Sequence, residues 1–358
     1  RFPDCVEFEG LFLIRVDLKS GSCCLLYTAG ILAQEVLRGA TPNASSYIAS
    51  SYVKALESAG ARVIPVNIYN TEAEYKALFN SLNGILFPGG DVSITTSGYA
   101  RAARIFYDLA IEANKKGDYF PVWGTCLGFE QLGVLTANVK EMEEILVRTN
   151  LTKVSVPLNF TQEANGSRLF RDFSDEMMEI LATEPLTVNA HIWSISMETY
   201  HSNERLNKFY RVLSTNNDGP LEFISTFEAI DYPMYGVQWH PEKSPFEWNR
   251  DYYPHTANAV RVSFHFAEFF VSEARKSSHY FESEQAVRDL LIYHHHPTYT
   301  GDTYSVFEQK YFFGNGTSEP PKADPQVSCA TGGAVRLLAQ ANALLATALF
   351  LFVVFSAD

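Results

Sequence analysis

Through the first half of the chain, short apolar runs alternate with stretches whose apolar residues recur every three or four positions. YTAGILAQ (27–34) is such a run and predicts a first strand. Residues 43–60 carry Ala49, Tyr52, Val53 and Leu56 at helical spacing, with Gly60 as a stop, and predict a helix. ARVIPVNI (61–68) predicts a second strand. Thr71 and Glu74 have the spacing of a capping box and open a helix through Asn80. GILFPGG (84–90) is a strand running into a glycine turn, and Ala102, Ile105, Phe106 and Leu109 mark the next helical face. Phe120 to Trp123 then form a short buried strand, and a helix starts at Leu127. Strands alternating with helices build βαβ units, so the expected class is α/β: a three-layer αβα sandwich around a mostly parallel central sheet. Residues 136–235 carry short β patterns whose order the spacing does not settle. MYGVQWHPE (234–242) predicts a strand ending on a histidine, and residues 256–276 a helix with Val262, Phe266, Phe269 and Phe270 on one side.

In such sheets the functional crevice lies beyond the carboxyl ends of the strands. FPGG and WGTC both end strands, so they are expected to meet there. The stretch PVWGTCLGFEQL (121–132) places Cys126 between Gly124 and Gly128. This G-x-C-x-G spacing is the thiol counterpart of the nucleophile elbow, a turn too tight for side chains at its flanks. At a helix N-terminus, unpaired N–H groups favour negative charge, which predicts a lowered thiol pKa. The Leu127 N–H would face the space in front of the sulfur as an oxyanion donor. A small buried hydrophobe is the ordinary alternative for a free cysteine. His240 also ends a strand, and Pro241 fixes the backbone before Glu242. A neutral imidazole can take a thiol proton while a carboxylate holds its tautomer. Alone, His240 would be a packed or solvated side chain. Together with the elbow it becomes the expected base.

The 358 residues, 46% of them hydrophobic, can bury one large core or two modest ones. A net charge of −13 argues against nucleic acid as a partner, since phosphate binding needs a basic surface. Of Cys5, Cys23, Cys24, Cys126 and Cys329, only Cys126 falls in the long central stretch, so no disulfide is expected there. Sequons stand at Asn43, Asn150, Asn159, Asn165 and Asn315. Three of them within residues 150–167 point to a glycosylated surface and the secretory route. The run His294-His295-His296 is expected to be a surface turn, because adjacent histidines point apart and no partner lies at ligand spacing; no metal and no cofactor are expected. Residues 1–24 fit no element, 314–333 read as a flexible linker, and 334–358 as an apolar tail. Ala343 to Phe355 are uncharged but short for a span of about 20 residues. Ser328, Cys329 and Ala330, a spacer and that apolar end fit a lipid-anchor signal, so membrane attachment through the tail is an expectation.

The elbow followed by a Q-x-H-P-E strand end resembles the class I glutamine amidotransferase fold, and FPGGD (87–91) is similar to the loop that supplies the second oxyanion donor there, near Gly90. Within that superfamily the chain resembles the γ-glutamyl hydrolase family. The segments SSYVKALESAGARVIPV, NGILFPGGDV, DYFPVWGTCLGFEQL, VPLNFT, STNNDGPLEFISTFE, YGVQWHPEKSPFEW and AEFFVSEARK carry the likeness, over about residues 27–313. The resemblance implies a hydrolase domain over residues 25–313 that cuts γ-glutamyl amides of folylpoly-γ-glutamates, with Cys126, His240 and Glu242 catalytic. It also implies His191 near the pocket, a homodimer and a lysosomal or secreted setting. An amidotransferase would pass ammonia to a synthase domain. The stretch after Glu242 has no room for one, so water is the expected acceptor. A glutaminase subunit is the alternative enzyme, and an inactive glycoprotein the alternative outside catalysis.

Overall fold

A computed structural model describes residues 27–36, 44–302 and 305–314. Eight strands form the central sheet: β1 (Thr28–Leu32), β2 (Arg62–Val66), β3 (Gly84–Phe87), β4 (Val122–Thr125), β5 (Asn159–Phe160), β6 (Tyr210–Asn217), β7 (Glu222–Ala229) and β8 (Met234–Val237). Their order is β2-β1-β3-β4-β8-β7-β6-β5. The first five run parallel, and β7, β6 and β5 continue the sheet antiparallel. Every residue of β1, β3, β4 and β8 is buried, as crossover helices on both faces require.

Five helices make the layers: α1 (Ser50–Ser58), α2 (Glu72–Phe79), α3 (Gly98–Lys115), α4 (Leu127–Ala137) and α5 (Ala257–Ala274). α1 packs on α5, while α2 packs on α3 and α3 on α4. The expected αβα sandwich with a mostly parallel sheet is what forms. The α2 capping box closes as the Thr71–Glu74 spacing predicts: the Thr71 hydroxyl accepts the Glu74 N–H, and the Glu74 carboxylate accepts the Thr71 N–H. α4 is buried along its whole length except at Thr136, so its polar residues Glu130 and Gln131 lie inside the protein.

Three expected elements differ. The helix expected over 43–60 begins only at Ser50. Residues Ser46–Ala49 are a strand that pairs with Gln34–Glu35 and with Gln309–Phe313 in a second, four-stranded sheet. That partner lies far along the chain, where no local period can register it. The run 27–34 is two strands, broken at Ala33. The strand expected to end on His240 stops at Val237; the Gln238 N–H still donates to the Ser225 carbonyl, and the His240 N–H leaves the sheet for the Val188 carbonyl. His294 closes a short 3₁₀ turn, His294 and His296 are exposed, and His295 packs edge-on to Phe313. Asn150, Asn159 and Asn165 are exposed. Asn43, Asn315, the four other cysteines, the N-terminal extension, all of the linker but Gly314, and the tail lie outside the described residues.

Candidate active site

β3, β4 and β8 are neighbours in the parallel part of the sheet, with Phe87 opposite Gly124 and Val237 opposite Thr125. The chain leaves all three strands at one end, so the Gly89 loop, the cysteine elbow and the His240 segment converge. Cys126 is the N-cap of α4 with φ 52° and ψ −107°, a strained conformation for a non-glycine residue. Its N–H is held by the Val237 carbonyl at 2.8 Å. A side chain at Gly128 has no room: a Cβ there would lie 2.0 Å from the Phe87 carbonyl oxygen. α4 therefore presses its first turn directly onto β3, and this close contact fixes where the sulfur sits.

His240 is 4% exposed, and its N–H is anchored to the Val188 carbonyl at 2.9 Å. Its Nδ1 lies 2.7 Å from Glu242 Oε1, so Nδ1 carries the proton and Nε2 is the acceptor. The relation to Cys126 is read at Gly89. A Cβ built there would lie 2.7 Å from His240 Cε1, 2.8 Å from the Tyr52 hydroxyl and 3.2 Å from Cys126 Cβ. Imidazole, phenol and thiol thus surround one glycine. The Tyr52 hydroxyl accepts the Gly89 N–H at 2.8 Å and lies 3.3 Å from His240 Nδ1. Gln34 Nε2 donates to the Gly89 carbonyl at 2.8 Å. With the peptide clamped on both sides, the next N–H, that of Gly90, has no partner among the described residues. The Leu127 N–H, at the first position of α4, favours negative charge on the sulfur. These two amides are the ones available to an oxyanion beside Cys126.

Electrostatics corrects one expectation. The thiol pKa is not lowered: burial pushes it well above its ordinary value, and the charges of Glu130 and Glu242 add to the rise. The Leu127 N–H and Lys243 oppose them without prevailing, because a helix N-terminus contributes less than loss of water costs a thiolate. Burial likewise lowers the His240 pKa, with Glu242 only partly offsetting it. For Glu242, burial raises the pKa, but the charge and hydrogen bond of His240 outweigh it and keep the carboxylate below its ordinary range. The resting pair is therefore a neutral thiol and a neutral imidazole on an ionised Glu242. Glu130 is pushed up to about 8 by burial, against the Gln238 amide that donates to it at 3.0 Å.

His191 is 4% exposed, with Nε2 at 2.9 Å from Asn189 Oδ1 and Nδ1 at 2.9 Å from the Trp193 carbonyl. Both ring nitrogens face protein oxygens, and as a neutral imidazole the ring donates from Nδ1 to the Trp193 carbonyl, which leaves the ring itself to line a pocket. Burial, then the charge of His240, lowers its pKa to about 3, so it stays neutral. Tyr52, Gln34 and Lys243 were not singled out by motif. Lys243 is 1% exposed with no hydrogen bond to Nζ, which sits 4.3 Å from the Phe307 ring centroid. The only signal for Tyr52 is its place on the α1 core face, which looks the same for any packed aromatic.

Tyr52→Phe is expected to free the Gly89 N–H while keeping the ring packed. One lost hydrogen bond at the loop that presents Gly90 corresponds to a kcat lower by about tenfold, with KM little changed. Steady-state kinetics on a γ-glutamyl substrate checks this, and an unchanged kcat would dismiss the clamp.

Comparison with known proteins identifies the family. A family model described as peptidase C26 matches residues 29–242, a stretch that includes Cys126, His240 and Glu242. The γ-glutamyl hydrolase of Homo sapiens is 52% identical over 286 residues, covering 79% of this chain and 88% of that protein. The γ-glutamyl hydrolase B of Dictyostelium discoideum is 41% identical over 276 residues, 76% of this chain and 78% of its own length. Among solved structures, the glutaminase domain of Trypanosoma brucei CTPS with bound acivicin aligns at a TM-score of 0.48 and 11% identity, over 70% of this chain and 95% of that one. With the family model spanning more than half of the chain and such relatives covering three quarters of it, the chain belongs to the peptidase C26 family, that of the γ-glutamyl hydrolases.

Proposed function

We propose that this protein hydrolyses the γ-glutamyl amide bonds of folylpoly-γ-glutamates through a γ-glutamyl thioester on Cys126. The observation that carries the reading is the grouping around Gly89. A strained elbow thiol and an imidazole whose Nδ1 is held by Glu242 meet beside two backbone N–H groups. His240 Nε2 takes the thiol proton as Cys126 Sγ attacks the γ-carbonyl carbon. The oxyanion is held by the Leu127 and Gly90 amides. The proton then passes to the amine nitrogen of the departing glutamate, and the C–N bond breaks. His240 next removes a proton from water, which attacks the thioester and releases the γ-carboxylate with the thiol restored. Because thiol and imidazole both rest neutral, the ion pair forms during attack, when the substrate carbonyl lies over the two amides. His191 forms part of the wall beside His240. The exposed Asn150, Asn159 and Asn165 support a glycosylated protein of the lysosome or the secreted fraction.

Incubation with pteroylpenta-γ-glutamate and chromatography of the products tests the reaction. Shortened pteroyl products are expected; ammonia from free glutamine without cleavage of the pentaglutamate would place the chain among glutaminases instead. The pH profile tests the base. His240 must be unprotonated to act, so activity is present above its pKa and lost as the pH falls through it. Burial lowers that pKa from the ordinary 6.5, so the acid limb of kcat/KM is expected below 6.5, which suits an acidic compartment. A limb at or above 6.5 would be incompatible with a buried, neutral His240.

A further inference from the structure

Between α3 and α4 lies a cavity of about 380 Å³ that the mechanism does not use. Its lining includes Ile94 to Ser97, which begin four residues past Gly90, and Gln131 of α4. Gln131 is five residues from Cys126 along α4, a rise of about 7.5 Å, and the lining continues through Val134 and Leu135 of α4 to Lys140. Three cations line it, Arg101, Arg104 and Lys140, and no aspartate or glutamate does. In a chain of net charge −13, a cavity with only positive lining charges is a local inversion. Two acids outside the lining offset part of this charge. Asp108 stands 3.7 Å from Arg104 on the α3 surface, and Glu144 accepts the backbone N–H of Lys140 and leaves its Nζ without a partner among the described residues. The Arg101 guanidinium is engaged elsewhere: it donates to the Ile68 carbonyl at 2.6 Å and the Asn70 carbonyl at 3.4 Å and lies 5.7 Å from the Tyr75 ring centroid, which leaves Arg104 and Lys140 as the cations open to a ligand. Gln131 is fully buried, donates Nε2 to the Ile94 carbonyl at 3.0 Å, and has no hydrogen-bond partner for Oε1 among the described residues.

We propose that this cavity holds the distal part of the poly-γ-glutamyl chain, binding its free α-carboxylates through Arg104 and Lys140 and accepting an amide N–H at Gln131 Oε1. The inference rests on the reading of the chain as a γ-glutamyl hydrolase. The ligand chemistry follows from the repeat. Each γ-linked residue leaves one α-carboxylate free and advances five backbone bonds, roughly 6 Å when extended. Arg104 reaches across to α4, where its Nη1 donates to the Leu135 carbonyl at 3.4 Å, and guanidinium–carboxylate pairing is the strong form of such contacts. The amide of each linkage supplies the donor that Gln131 Oε1 lacks.

The test compares chain lengths. In Arg104→Gln/Lys140→Gln, kcat/KM for pteroylpenta-γ-glutamate is expected to fall about tenfold, while that for pteroyldi-γ-glutamate stays within twofold. Lys140→Gln alone, at an exposed position, should give a smaller loss with the same selectivity and covers any failure of the double variant to fold. Equal losses on both substrates, or none on the pentaglutamate, would overturn the assignment. A second arm is independent of turnover: tetra-γ-glutamate without a pteroyl group is titrated into Cys126→Ala protein and into the same protein carrying Lys140→Gln. Binding weakened severalfold by Lys140→Gln supports the cavity even if no substrate is cleaved. No binding, unaltered binding, or equal affinity for α-linked tetraglutamate would overturn it.

Discussion

Cys126→Ala is expected to lower kcat/KM on pteroylpenta-γ-glutamate by about 10⁴-fold or more, the scale seen when a nucleophile that works as part of a unit is removed. Binding is expected to survive. Alanine keeps the Cβ, so the strained φ of 52° and the 2.8 Å anchor to the Val237 carbonyl carry over unchanged. The Leu127 and Gly90 amides stay in place, as does the Tyr52–Gly89 clamp. Calorimetry on the variant should therefore give a Kd for the pentaglutamate within about threefold of the wild-type KM. Serine is not expected to substitute, because burial already holds the thiol far above its ordinary pKa and an alcohol starts higher still. Residual activity of Cys126→Ala within tenfold of wild type would end the assignment of this residue as nucleophile.

The other large effect concerns folding. Gly128→Ala adds a Cβ 2.0 Å from the Phe87 carbonyl oxygen and 2.7 Å from its carbonyl carbon. Neither atom belongs to a side chain that can swing away. Phe87 ends β3 between two neighbours, and relief would mean separating α4 from the sheet. Overpacking of this kind costs about 3 kcal/mol or more. At roughly 2–4 °C per kcal/mol, Tm should drop by about 6–12 °C. Calorimetric unfolding measures it, and a variant within about 1 kcal/mol of wild type would show that the elbow is looser than its geometry implies. Activity should fall too, since the displaced helix carries the Leu127 amide away from the sulfur.

Much of this site is legible in the sequence because its signals are local. The elbow needs a glycine two residues either side of the cysteine, and both are written there. Glu242 lies two residues from His240, so their hydrogen bond depends only on the turn between them. The Thr71 capping box closes within a single helical turn. Strand–helix alternation yields the parallel half of the sheet for the same reason, since each crossover is built from adjacent segments.

What tertiary structure alone decided are the properties that depend on residues distant in sequence. Periodicity over 43–60 favours a helix, but pairing of Ser46–Ala49 with Gln309–Phe313 converts its start into strand. The helix N-terminus at Cys126 is local and favours a thiolate. Burial under the surrounding segments is collective and reverses the direction of the shift. Gln34 and Tyr52 grip the two sides of the Gly89 peptide from different elements, and no motif joins them. Asn189 and the Trp193 carbonyl occupy the nitrogens of His191, which the resemblance alone places only near the pocket. Residue types and short spacings therefore determine which groups do the chemistry. Dielectric surroundings, hydrogen-bond partners and the basic cavity between α3 and α4 come from long-range packing, because solvent exclusion is a property of the assembled fold and of no single segment.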